Sequence, residues 1–194
     1  MRKSNELQIG KAGEYLVCAD LCMRGYIAFL SEQGLPYDVL LDNGKRLLKI
    51  QVKTTTQPRE VPQRNKVTKA YMFSVKRHGK TNNKRYADDE IDIFALVCLD
   101  TKMIGYLKNG DMPDSINLRV DSMRGEYYDE IGIKMYDEVL KLKGTLNQSQ
   151  IAKKLGKSLT TVHYMIQDGY IPFETKARYF SDLTRTDNWF YDFT

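Results

Sequence analysis

The sequence predicts an α/β domain over residues 1–143 followed by a small all-α domain over residues 144–194. Three observations predict it: apolar residues at helical spacing near the N-terminus, an Asn-Gly pair between two strand-like runs, and a change to short helical stretches beyond Gly144.

Ser4 is placed to cap a helix running to Arg24, with Ala12, Tyr15, Leu16, Ala19, Cys22 and Met23 recurring every three or four residues and Gly25 as the stop. Residues 26–30 read as a short buried strand. After Gly34 and Pro36, residues 37–41 and 47–54 form two strands joined at Asn43-Gly44, a hairpin turn whose residues must accept positive φ. In the second strand Leu48, Ile50 and Val52 point one way and Lys49, Gln51 and Lys53 the other, so Gln51 and Lys53 share a face. Residues 70–75 and 91–99 are further strands, the latter apolar enough to be central, and 105–107 an edge. Residues 148–155, 158–167 and 173–183 are the helical stretches of the tail, whose end around Trp189, Phe190, Tyr191 and Phe193 is expected to pack on the fold.

The composition, 42% hydrophobic and 28% charged with 13 tyrosines, is that of a folded protein rather than a disordered chain. The first residues carry no apolar signal segment, and no run approaches the ~18 apolar residues of a membrane span. A cytoplasmic protein with no membrane partner is expected. The three cysteines, Cys18, Cys22 and Cys98, lack a zinc spacing with the two histidines and read as small buried hydrophobes.

The net charge of +5 is unevenly spread. Residues 57–85 hold nine basic side chains (Arg59, Arg64, Lys66, Lys69, Lys76, Arg77, Lys80, Lys84, Arg85) against the single acid Glu60. That segment is +8, so with a total of +5 the remainder carries −3. Crowded like charges repel, and a phosphate-binding surface for double-stranded DNA is the expectation.

Phosphodiester hydrolysis needs charge neutralisation at the phosphate and an activated water, and a divalent cation held by oxygen ligands supplies both. Asp38 on the first hairpin strand and Gln51 with Lys53 on its partner can meet across the ladder, and Glu14 can approach from the first helix. Singly, each also fits a plain role: a turn residue after Pro36, a solvated helix position, a strand face turned to water.

Taken together, Gly13-Glu14-Tyr15-Leu16-Val17, Pro36-Tyr37-Asp38 and Ile50-Gln51-Val52-Lys53-Thr54-Thr55 resemble the PD-(D/E)XK nuclease superfamily over residues 4–107. Within it they are most similar to the branch of bacterial group I intron homing endonucleases, which carry Gln in place of the acid. The resemblance implies a PD-(D/E)XK-like αβββαβ core with a mixed sheet. It implies Mg2+ as cofactor, with Mn2+ as a substitute, held by Asp38, the Gln51 side-chain oxygen and the Val52 carbonyl, with Glu14 holding a metal-bound water or a second ion. Lys53 would orient or deprotonate the attacking water, and in-line attack would leave a 5′-phosphate. Two departures stand out: Tyr37 separates Pro36 from Asp38, and neutral Gln51 adds no anion, so metal affinity should be low.

In the tail, residues 146–166 resemble the helix-turn-helix of repressor-type modules, with Ala152, Gly156 and Val162 at the close contact and turn and Ile151, Leu155 and Met165 as core. Ser158, Thr160, Thr161, His163 and Tyr164 would face DNA, although a helical hairpin for dimerisation also needs small contact residues. The combined expectation is a magnesium-dependent, site-specific DNA endonuclease of the homing type, acting as a homodimer or homotetramer because one site cuts one strand. A Holliday-junction resolvase or a restriction-type nuclease is the near alternative. A non-catalytic transcription regulator, binding without magnesium and indifferent to Lys53→Ala, is the alternative from another class.

Overall fold

The computed structural model describes residues 5–63, 66–75, 85–124, 129–172 and 177–193. They form two compact units, residues 1–123 with 178–194, and residues 124–177.

In the first unit, α1 (Asn5–Met23) precedes a five-stranded mixed sheet of β1 (Ile27–Leu30), β2 (Val39–Asp42), β3 (Leu47–Thr55), β6 (Ile93–Cys98) and β7 (Met103–Lys108), in that spatial order. Every neighbouring pair is antiparallel except β3 and β6. Between them in the chain lie β4 (Arg59–Gln63) and β5 (Lys66–Ser74), which join β8 (Ser115–Arg119) and β9 (Arg178–Tyr179) in a second, four-stranded sheet. Among the described residues, the crossover from β3 to β6 therefore carries strands rather than the helix of an αβββαβ core. This is a mixed α/β fold, as the sequence predicts.

The strand periods set the two cores. Leu48, Ile50 and Val52 of β3, with Ile93, Ala95 and Val97 of β6, face Val17 and Leu21 of α1. Phe94, Leu96 and Cys98 face the second sheet through Tyr71, Phe73, Ile116 and Leu118. β6 is buried on both faces, as its unbroken apolar run predicts. β1 differs from expectation: it is an edge strand, and Ile27 and Phe29 are 67% and 45% exposed. The helix face is also rotated from the one read in the sequence. Gly13, Val17 and Leu21 are the buried positions, whereas Tyr15, Met23 and Cys22 are exposed. A glycine contributes no apolar side chain to a periodicity, so the true contact stripe was hidden. Gly25, at φ +87°, ends the helix as expected.

The hairpin turn is wider than a two-residue loop, and only Gly44 takes positive φ, +80°. Asn43 is 1% exposed. Its Oδ1 accepts from the Lys45 and Arg46 amides at 3.0 and 2.9 Å, and its Nδ2 donates to the carbonyls of Phe190 and Phe193 at 2.9 and 3.2 Å. One side chain thus closes the turn and fastens the C-terminal segment, whose Phe190 and Phe193 enter the α1-side core. Asn43→Ala strands two buried carbonyls and two turn amides, and should cost about 2–4 kcal/mol in urea unfolding. A loss near ~0.5 kcal/mol, the scale of an ordinary surface change, would show that the turn and tail hold without it.

The second unit holds α2 (Glu130–Leu142), α3 (Gln148–Leu155) and α4 (Leu159–Gln167) around Val139, Ile151, Ala152, Val162 and Met165. Asn147 and Gln150 form a capping box on α3, Gly156 turns the chain at φ +61°, and Ser158 caps α4. The compact units do not divide at 143/144. α2 packs with α3 and α4, and residues 178–193 build β9 and part of the sheet cores instead of extending a helix over 173–183. The expected helix falls partly on residues 173–176, outside the described residues. No described helix is long and apolar enough to cross a membrane.

Candidate active site

The β2–β3 ladder ends at Val39 paired with Ile50, and the site lies where the strands part. The Asp38 amide still donates to the Ile50 carbonyl at 2.9 Å. The next β3 amide, that of Val52, donates 2.8 Å to Asp38 Oδ2 in place of a backbone carbonyl. A side chain has replaced a ladder bond. Gln51 and Lys53 alternate onto the face opposite Val52, and Gln51, 8% exposed, donates its Nε2 to Asp38 Oδ2 and to the Val52 carbonyl, the latter at 3.3 Å.

Burial first, and then the charge of Glu14, push the Asp38 carboxyl above the usual carboxylate range; the Val52 amide, Lys53 and Lys11 pull the other way. Such a carboxylate gains from a cation. The Gln51 amide group meets the two oxygens that a cation would attract, and turning that amide over replaces its nitrogen with Oε1. Asp38, the Val52 carbonyl and Gln51 would then present three neighbouring oxygens, a donor set suited to a hard divalent ion. Among the described residues no three His, Cys, Asp or Glu side chains cluster, so such an ion would depend on the carbonyl and the amide.

Glu14 reaches this end of the sheet because α1 lies close on β3 at Gly13. A Cβ there would stand 2.0 Å from Thr54 Oγ1. Glu14 is paired with Lys11 at 2.8 Å and shares with it, Asp38, Tyr37 and Ser31 the wall of a cavity of about 430 Å³. Gln51 lines an adjoining cleft of about 390 Å³ with Tyr86, Glu90, Leu35 and Pro36. Lys53, half-buried, places Nζ 3.4 Å from the Tyr86 hydroxyl. The structure thus brings Asp38 and Gln51 into contact, with Glu14 and Lys53 in electrostatic reach of Asp38. Lys11 and Tyr86 were missed by the sequence reading. The i, i+3 spacing of Lys11 and Glu14 was a readable signal; nothing in the spacing of Tyr86 announces it.

Of the basic segment, Arg59 and Lys69 are exposed on the β4–β5 hairpin, with Glu60 directly opposite Lys69. Arg85 pairs with Asp114 at 3.3 Å and donates to the Met112 carbonyl, so part of its charge is already answered. Lys66 lies in β5, while Arg64, Lys76, Arg77, Lys80 and Lys84 fall outside the described residues. On α4, Thr160, His163 and Tyr164 are exposed and Thr161 is half-buried. The Ser158 hydroxyl is spent on the cap, accepting from the Thr161 amide at 3.1 Å, and His163 Nδ1 lies 3.2 Å from Gln148 Oε1.

A family model described as PD-(D/E)XK endonuclease matches residues 4–136. Among solved structures, the bacterial homing endonuclease I-Ssp6803I is similar, with a TM-score of 0.48 and 16% identity, over 67% of this chain and 88% of that one. No curated protein matches the chain. The family match spans well over half of the chain and contains α1, the β2–β3 hairpin and all four candidate residues, and the protein, a DNA endonuclease, belongs to the PD-(D/E)XK endonuclease family.

Proposed function

We propose that this endonuclease is magnesium-dependent and site-specific, of the homing type, and works as a symmetric oligomer on double-stranded DNA. The observation that carries the reading is the meeting of Asp38, the Val52 carbonyl and Gln51 where β2 and β3 part. Nucleases of this family generally use divalent metal ions. Asp38, Gln51, the Val52 carbonyl and Glu14 would hold the ion here, and a bound Mg2+ supplies a Lewis acid that neutralises phosphate charge and acidifies water. Lys53 presents an ammonium beside the site, to hold the scissile phosphate and orient the attacking water for in-line displacement. Lys11 steadies Glu14. Arg59 and Lys69 supply phosphate contacts, and the exposed α4 residues Thr160, His163 and Tyr164 offer groups able to read base edges.

Incubation with supercoiled plasmid, linear DNA and four-way junctions, each with magnesium or EDTA, tests the reading. Magnesium-dependent cutting at fixed positions is expected; junction-restricted cutting would replace homing with a resolvase role, and metal-independent binding without any nicking would leave a regulator. Gln51→Glu tests the ligand set. Adding an anion should lower half-saturating magnesium by about tenfold. In EDTA the same variant sets two carboxylates together and should melt below the wild type, with the order reversed in magnesium. Unchanged magnesium dependence in both measurements would remove Gln51 from the metal site.

A further inference from the structure

We infer that Tyr86 is the positioning residue for Lys53, holding its ammonium at the site before DNA arrives. A lysine carries its charge on a flexible four-carbon stem, so a catalytic lysine needs something to fix its head. The Lys53 ammonium donates to the Tyr86 hydroxyl at 3.4 Å and lies 5.2 Å from the ring centroid, so the phenol meets it chiefly at its oxygen end. The ring has an anchor of its own. It packs edge-on against Phe94, at 5.7 Å between centroids and 77° between planes, and Phe94 is 2% exposed. Phe94 is also the β6 residue in register with Gln51.

Tyr86 therefore refers the position of Lys53 to the strand that backs Gln51. It also shares the cleft wall with Gln51 itself. An aromatic ring locked by a buried neighbour, with its polar tip toward a charge, loses little entropy in doing this. The hydroxyl contributes the direction of the ammonium, and the ring contributes its distance from the sheet.

The inference rests on the catalytic reading of Lys53, and the test separates the two. Single-turnover nicking of plasmid in magnesium, and affinity for a labelled duplex with calcium in place of magnesium, are measured for Tyr86→Phe, Tyr86→Ala and Lys53→Ala. Tyr86→Phe keeps the Phe94 contact and should melt like the wild type. It should slow cleavage about 3–10-fold with DNA affinity unchanged, and Tyr86→Ala should slow it about 100-fold, the scale of a misplaced catalytic group. If Lys53→Ala is inactive while Tyr86→Phe cleaves at the wild-type rate, the positioning role is overturned and the catalytic lysine stands. If Tyr86→Phe loses duplex affinity by the same factor as rate, Tyr86 is a DNA contact and the inference is again overturned. If Lys53→Ala cleaves normally, the catalytic reading falls and this inference with it.

Discussion

Asp38→Asn is expected to lower cleavage by about 10³-fold or more while leaving the metal-free protein at least as stable at neutral pH. The two halves of this expectation have one cause. Burial foremost, with the charge of Glu14 added, raises the Asp38 carboxyl above its ordinary value, so the folded protein binds that proton more tightly than the unfolded chain. The stability this group contributes is fully present below the unfolded value of about 3.9 and is lost as pH rises through the raised folded value. At neutral pH the metal-free wild type bears that loss and an asparagine does not. The asparagine oxygen, standing where Oδ2 stands, can still accept from both the Val52 amide and Gln51 Nε2, so packing need not suffer. Magnesium should invert the comparison, raising the melting temperature of the wild type and much less that of the variant. Melting curves between pH 3 and 8, with EDTA and with magnesium, together with plasmid nicking, check every part. A variant less stable than the wild type in EDTA at pH 7 would mean that Asp38 serves to close the β3 ladder at Val52.

Much of this site is written in local periodicity. The alternation of Leu48, Ile50 and Val52 against Gln51 and Lys53 states which residues share a face, and Asn43-Gly44 folds Asp38 back onto that strand, so Asp38 and Gln51 can be paired without a structure. What escaped reading depends on partners distant in sequence. Asn43 looks like a turn residue, and its second task, donating to carbonyls of residues 190 and 193, has no local trace. The aromatic residues of the end read as packing on the fold, yet their neighbours read as a helix, because the sheet edge that recruits β9 onto Leu118 and Arg119 lies far away in the chain. β1 reads as buried from its apolar letters alone, although an edge strand exposes alternate residues whatever they are. The helix face is hidden for a different reason, since its closest contact is made by a residue without a side chain.

That contact gives the second large effect. Alanine in place of a mid-helix glycine ordinarily stabilises a protein by roughly 0.8–1 kcal/mol. At Gly13 the sign should reverse. A Cβ would meet Thr54 Oγ1 at 2.0 Å and both Cβ and Cγ2 of Thr54 at 3.0 Å, and a β-branched side chain cannot rotate both branches away at once. Overpacking of this kind costs about 1–3 kcal/mol, enough to consume the helical gain, and each net kcal/mol should lower the melting temperature by about 2–4 °C. The larger consequence is catalytic, because the helix relieves the clash by moving outward and Glu14 is the next residue. A displacement near ~1 Å at a reacting centre is worth about 100-fold in rate. The cause can be isolated, since Thr54 Oγ1 is buried with no hydrogen-bond partner among the described residues, so that Thr54→Ala alone should be neutral or stabilising. In the Gly13→Ala, Thr54→Ala double variant the nearest and one further contact vanish, and both melting temperature and cleavage should recover well beyond the sum of the single effects. A Gly13→Ala protein that melts higher and cuts normally would mean that α1 and β3 have room between them and that something other than this close approach brings Glu14 to the site.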